Sequence, residues 1–205
     1  MISSRAVWTI ALTIGLVGYA LDQVTKELAL RYLDPANPPV LLGGLLTLQL
    51  IRNPGAAFSL GENYTPVLSV ISTVALIAVL GWLIPRTRYR AWAITLGLLL
   101  GGILGNLTDR LARPPGFAHG HVIDFLQLPH FAIFNVADMC VTFAAVGMVW
   151  LMLVRGVDLR GNSTKEAPPD EESAVASAGG EPAGGATPVV PDAAEDRSTS
   201  RDENR

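Results

Sequence analysis

Four uncharged stretches stand out in this 205-residue chain: Ala6–Leu21 (16 residues), Asn63–Pro85 (23), Ala91–Thr108 (18) and Met139–Val154 (16). A bilayer hydrocarbon core about 30 Å thick is crossed by roughly 17–25 helical residues. None of the four carries the polar stripe of a surface helix, so each is expected to be a transmembrane helix that satisfies its own backbone. The two shorter runs gain length from polar residues at one end, placed at an interface or inside a bundle. The first run also resembles a signal peptide, with Arg5 ahead of an apolar stretch and small residues at Gly18 and Ala20. Three further spans follow it, and Asp22 and Lys26 continue its helical phase, so an uncleaved first helix is the preferred reading.

Charge divides the chain into two unlike parts. Residues 161–205 hold ten acids and four bases, net −6, which leaves residues 1–160 at net +3. The same 45 residues contain no Leu, Ile, Phe, Met, Trp or Tyr but five Pro and five Gly. Such a segment cannot bury enough surface to fold, and is expected to be a disordered acidic tail. The domain reading is therefore a four-helix transmembrane domain over 1–160 and a tail over 161–205. A single cysteine excludes a disulfide framework and a multi-thiolate zinc site.

Basic residues set the orientation. Arg5 precedes the first span, Arg86, Arg88 and Arg90 join the second to the third, and Arg155 and Arg160 follow the fourth. All three segments fall on one side, expected to be the cytoplasm, with both termini. The connections over about 22–62 and 109–138 then face outward and hold nearly all the remaining charge of the body. Within the first of them, Val40–Ile51 is apolar and partly alternating, and leads into the turn-prone Asn53-Pro54-Gly55. Extended β structure near the membrane surface is expected there.

Ionisable groups at membrane depth are costly and point to function. Asp22 and Lys26 stand four apart on one helix face, acid first, which is the favourable order. They form either a mutually neutralising structural pair or a contact with substrate. Gly97, Gly101 and Gly105 recur every four residues on the third span and allow another helix to approach closely. That stripe continues to Asp109, while Gly102, Asn106 and Arg110 form the neighbouring one. Leucine at position 101 is expected to be harmful, alanine to be mild.

Asp124 lies among apolar residues in Val-Ile-Asp-Phe-Leu, just before the last helix. Asp138 follows at the start of that helix, where Asn135 as N-cap and Asp138 as third helical residue would form a capping box. Two acids brought to one apolar rim also suit catalysis. Paired carboxylates in low dielectric do not both ionise, so one keeps a proton while the other activates water. Other chemistries fit less well. His119, His121 and His130 lack an HExxH motif, Cys140 points away from the Asp138 face, and no Gly-x-Ser-x-Gly elbow or phosphate loop is present. An ion-coupled transporter would need acids spread through membrane depth, whereas these gather at one end. A four-span scaffold without activity is the third reading.

Five segments in order resemble the motif series of bacterial lipoprotein signal peptidases (signal peptidase II). They are Asp22-Gln23-Val24-Thr25-Lys26, Asn53-Pro54-Gly55-Ala56-Ala57-Phe58-Ser59, Gly105-Asn106-Leu107-Thr108-Asp109-Arg110, Val122-Ile123-Asp124-Phe125 and Phe134-Asn135-Val136-Ala137-Asp138. They span about residues 5–155. The resemblance implies four transmembrane helices with a small extracytoplasmic β-cradle. It implies an aspartic endopeptidase of the bacterial cytoplasmic membrane, working at the outer face and inhibited by the cyclic lipopeptide globomycin. The substrates would be diacylglyceryl-modified prolipoproteins, cut immediately before the lipidated cysteine. The catalytic aspartates fall on Asp124 and Asp138, and the substrate-binding or supporting residues on Asp22, Lys26, Asn53, Asn106, Asp109, Arg110 and Asn135. No metal, cofactor or nucleic acid is expected, membrane lipid is, and the enzyme is expected to be a monomer. Thr108, where an aliphatic residue is common, and the long acidic tail depart from the family pattern.

Overall fold

The computed structural model describes residues 1–55 and 65–164. Residues 56–64, which include Ala56–Ser59 of the second motif, and 165–205, the bulk of the expected disordered tail, lie outside the described residues.

Four helices are long and apolar enough to cross a membrane: α1 (Ser4–Tyr32), α2 (Thr65–Arg86), α3 (Arg90–Ala112) and α4 (Val136–Val154). Helix α1 starts where Ser3 accepts a hydrogen bond from the Ala6 amide. Its 29 residues make it about 44 Å long, well beyond the hydrocarbon core. The uncharged run stops at Leu21, but the helix continues because Asp22 and Lys26 are buried within the bundle. Helix α2 winds more loosely over Val79–Leu83, just before Pro85, whose ring cannot donate into the helical ladder.

Helix α3 is the axis of the fold, packed on α1, α2 and α4. Its glycines divide two faces. A Cβ at Gly97 would lie 2.8 Å from the Ala11 carbonyl oxygen, and one at Gly101 2.8 Å from that of Gly15, both on α1. A Cβ at Gly102 would lie 2.6 Å from the Ala137 carbonyl oxygen on α4. At Gly105 the two faces converge, on the Asp22 carboxylate and the Ala137 methyl. Backbone contact on both sides thus brings α1 and α4 to one end of α3. Val7, Ala11, Val79, Ile84, Ala93, Leu96 and Leu100 close the core towards the other end. Leu16, Val70, Val74, Ile77, Val146 and Leu153 remain exposed on the outer faces, the surface that lipid would cover.

The β structure expected within Val40–Ile51 is present, in two short strands instead of one run. It folds into a hairpin of β1 (Val40–Leu41) and β2 (Leu46–Thr47) around a turn in which Gly43 and Gly44 take φ of +66° and +99°. Those left-handed conformations, natural to glycine, reverse the chain before a long strand can form. A second two-stranded sheet pairs β3 (Ile51–Asn53) antiparallel with β4 (Val122–Asp124), with Ile51 opposite Asp124 and Asn53 opposite Val122. A single bridge from Thr47 to Gln127 joins the segment after β4 to the first sheet, and one from Leu126 to Phe134 closes that segment on itself. Beyond α4 the ordered contacts continue to Thr164, whose amide donates to the Gly156 carbonyl at 2.7 Å.

The close approach at Gly101 revises the expectation for alanine, because the first added carbon already meets backbone. Gly101→Ala should cost about 1–3 kcal/mol, and Gly101→Leu should prevent close packing of α1 altogether. Thermal unfolding in detergent measures both. A Gly101→Ala protein as stable as the parent would place the glycine face elsewhere.

Candidate active site

Three elements deliver two carboxylates to one end of the bundle. Strand β4 ends on Asp124, which is 1% exposed. Helix α4 opens with the capping box expected from sequence: Asn135 accepts from the Asp138 amide at 3.0 Å, and Asp138 accepts from the Asn135 amide at 3.1 Å. Helix α3 supplies Asn106 between them.

The asparagines tie the acids together. Asn135 Nδ2 donates to Asp124 Oδ1 at 2.6 Å and to Asn106 Oδ1 at 3.1 Å. Asn106 Nδ2 donates to Asp138 Oδ1 at 2.8 Å, and Asn53 Nδ2 on β3 donates to Asp124 Oδ2 at 2.8 Å. Each carboxylate is therefore oriented by at least two donors, and Asn135 serves both as cap and as bridge. Burial pushes the Asp124 carboxyl up to about 6, with the neighbouring Asp138 charge adding to it against the hydrogen bonds from Asn53 and Asn135. A proton is thus held more readily at Asp124 than at an ordinary aspartate.

Both carboxylates line a cavity of about 550 Å³ together with Asn53, Asn106 and Arg110. The remaining wall is apolar, formed by Leu68 of α2, Phe131 and Phe134 of the preceding loop, and Met139 and Phe143 of α4. Phe131 and Phe134 meet edge to face, their ring centroids 5.8 Å apart. Arg110 Nη1 is held against the Asn106 carbonyl at 3.4 Å, with its guanidinium in the cavity wall.

Asp22, Lys26 and Asp109 do not line this cavity. All three side chains are fully buried behind it, with the Lys26 ammonium 2.8 Å from Asp22 and 2.7 Å from Asp109. Lys26 also donates to Asn106 Oδ1 at 3.0 Å. Both carboxylates also reach the main chain. Asp22 Oδ1 accepts from the Ala137 amide at 2.8 Å, one residue before Asp138. Asp109 Oδ2 accepts from the Ile123 amide at 3.2 Å, one residue before Asp124. Arg113 joins Asp109 to Glu27 through contacts of 2.6 and 2.7 Å. Every buried side-chain nitrogen and oxygen among the described residues has a partner.

Sequence reasoning grouped the nine polar residues but missed the apolar wall and the Arg113–Glu27 extension. Helical spacing from Asp138 could have found Thr142, one turn on, which lines the cavity. Leu68 and Phe131 carry no sequence signal that separates them from other apolar residues, whereas Phe134 opens the fifth motif. Cys140 is buried on another side of α4, against Gly18. His119 is turned onto the Phe117 carbonyl, and among the described residues no group of three or more His, Cys, Asp or Glu side chains could hold a metal ion.

The family described as signal peptidase (SPase) II matches residues 14–154. A lipoprotein signal peptidase of Leifsonia xyli subsp. xyli is 46% identical over 166 residues, covering 80% of this chain and 74% of that protein. The lipoprotein signal peptidase of Streptomyces coelicolor is 40% identical over 153 residues, 75% of this chain and 74% of its own. One solved bacterial membrane enzyme, determined by the in meso method at 1.9 Å resolution, superposes with a TM-score of 0.61 at 24% identity. It covers 70% of this chain and 92% of its own, a likeness of fold.

Removing the buried ammonium tests the network. Lys26→Met keeps the volume but leaves the Asp22 and Asp109 carboxylates without a counter-charge, which should cost about 3–5 kcal/mol. Denaturation in detergent reads this directly, and an unchanged midpoint would contradict the buried triad.

Proposed function

The chain belongs to the signal peptidase II family, and from that premise we propose that it is an aspartic endopeptidase acting on diacylglyceryl-modified prolipoproteins. It removes the signal peptide by cutting immediately before the lipidated cysteine. The observation that carries this reading is the pair Asp124 and Asp138, held by shared asparagines in the wall of one largely apolar cavity. The relatives' lipoprotein substrates support the substrate class.

Asp138 acts as the base. Its carboxylate takes a proton from a water molecule as that water attacks the carbonyl carbon preceding the cysteine. Asp124, protonated, donates a hydrogen bond to the carbonyl oxygen as negative charge develops there. When the tetrahedral intermediate collapses, Asp138 returns the proton it took from water to the departing cysteine amine, the carbonyl re-forms, and the pair is left as it began, with Asp138 ionised and Asp124 protonated. Arg110 adds positive charge beside the reacting centre, and Asn53, Asn106 and Asn135 hold the carboxyls so that little reorganisation accompanies the reaction. Leu68 on α2 and Met139 and Phe143 on α4 receive acyl chains entering sideways from the bilayer.

The cavity opens at the outer face, with both termini in the cytoplasm. Arg5, Arg86, Arg88, Arg90, Arg155 and Arg160, at the other end of the helices, support that orientation. All groups named come from one chain, and the enzyme works as a monomer. The transporter reading is disfavoured because the buried acids Asp22, Asp109 and Asp124 gather at one end of the bundle with Asp138, instead of marking a path through it.

Asp124→Asn and Asp138→Asn should each lower cleavage of a diacylated prolipoprotein at least about a hundredfold, the contribution expected of a positioned acid or base. Retained turnover in either folded variant sinks the assignment. The pH profile carries a second test. Because Asp124 must be protonated in the free enzyme, kcat/KM should fall as pH rises through about 6. A rate that climbs through the same window would reverse the roles of the two acids.

A further inference from the structure

At the end of the bundle remote from the aspartates, Arg86, Arg88 and Arg160 converge with Pro85 on a pocket of about 320 Å³. The three arginines come from the last turn of α2, the α2–α3 connection and the loop after α4. That loop is fixed. The Arg88 amide donates to the Leu159 carbonyl at 2.8 Å, and Trp92 Nε1 to the Val157 carbonyl at 3.1 Å. Val157 bridges to Ser163, and Leu159 packs on the core. Gly161, at φ +91°, lies against the Tyr89 ring. Arg160 is therefore held beside Arg88 by main-chain bonds on both sides.

Two of the guanidiniums are also restrained. Arg88 Nη1 donates to the Pro85 and Thr87 carbonyls at 2.9 and 2.6 Å, and Arg86 stacks over Trp82 at 5.1 Å while donating to its carbonyl. Among the described residues no carboxylate forms an ion pair with any of the three. Asp158, in the same loop, accepts instead from the Arg160 and Asn162 amides and the Asn162 side chain. Three cations around one pocket, with no ion-paired carboxylate among the described residues, repel one another, and an anion at their centre relieves that repulsion.

We propose that this pocket binds the phosphate of an anionic phospholipid headgroup from the leaflet at that end. Trp82 points to lipid as the source. It is 54% exposed on α2, as Ile77 and Val74 are exposed earlier on the same helix, and tryptophan beside basic residues at the end of a span suits the boundary between acyl chains and headgroups. A phosphate among the arginines places its acyl chains along that apolar face. Planar guanidiniums suit phosphate through paired hydrogen bonds.

The test uses the full chain in detergent, titrated with phosphatidylglycerol and, in parallel, phosphatidylcholine, with thermal stabilisation and native mass as readouts. Phosphatidylglycerol should bind and stabilise, and phosphatidylcholine should not. A basic residue at an anionic surface contributes about fivefold in affinity, so Arg86→Gln/Arg88→Gln/Arg160→Gln should weaken binding on the order of a hundredfold. Arg5→Gln/Arg90→Gln/Arg155→Gln removes equal charge outside the pocket and should retain most of the affinity. Equal losses in the two triple variants would mean diffuse attraction and overturn the site. Stabilisation by inorganic phosphate that matches the lipid would overturn the lipid assignment. So would a large gain in lipid binding on deletion of residues 165–205, which would make the acidic tail the occupant. If the triple variant fails to fold, Arg160→Gln alone, in the exposed loop, should still cost about fivefold, and no loss there would count against the pocket.

Discussion

The ammonium of Lys26, fully buried and in contact with Asp22, Asp109 and Asn106, is the constraint on which the rest of the site depends. A lone charge at that depth would be prohibitively costly, and two carboxylates at 2.7–2.8 Å with further donors around them make it tenable. Each carboxylate also accepts from a backbone amide, Ala137 for Asp22 and Ile123 for Asp109. Those amides immediately precede Asp138 and Asp124. One buried cation therefore fixes the main chain leading into both acids, from a position that touches neither the cavity nor solvent.

Packing and electrostatics are inseparable here. The network needs α1 and α4 within backbone contact of α3, which the glycines at 97, 101, 102 and 105 permit. Gly105 is the junction, because a side chain there would occupy the space of the Asp22 carboxylate itself. Gly120 plays a related part at the end of α3. Its amide donates to the Arg110 carbonyl, so close to the helix end that a Cβ would collide with the Asp109 carbonyl. That loop closes the helix and leads the chain back into β4.

Much of this was legible in the sequence because membrane proteins spend charge sparingly. The uncharged runs located all four helices, and the Asn135–Asp138 spacing announced a capping box that the structure contains. The Asp22–Lys26 spacing announced a pair, but not that Asp109 completes it, since nothing in a helical repeat reveals which residue of α3 faces a lysine on α1. Spacing also could not separate helix-start acid from paired acid at Asp138, and the structure has Asp138 in both positions because Asn135 caps the helix and bridges to Asp124 with one side chain. Partial alternation pointed to β structure within Val40–Ile51 but not to a hairpin, whose reversal is set by φ at Gly43 and Gly44 instead of by pattern. The apolar cavity wall was illegible for a similar reason, since a leucine facing substrate and one facing lipid look the same in a span.

The account as a whole rests on a reaction at one peptide bond. Purified protein in detergent, given a diacylated prolipoprotein and its unlipidated counterpart, provides the direct measurement, with product masses identifying the bond cut. The account predicts a single cut of the diacylated substrate, leaving the lipidated cysteine as the new N-terminus, and an intact unlipidated precursor. A cut at any other bond, or no cut by a folded protein, would contradict it.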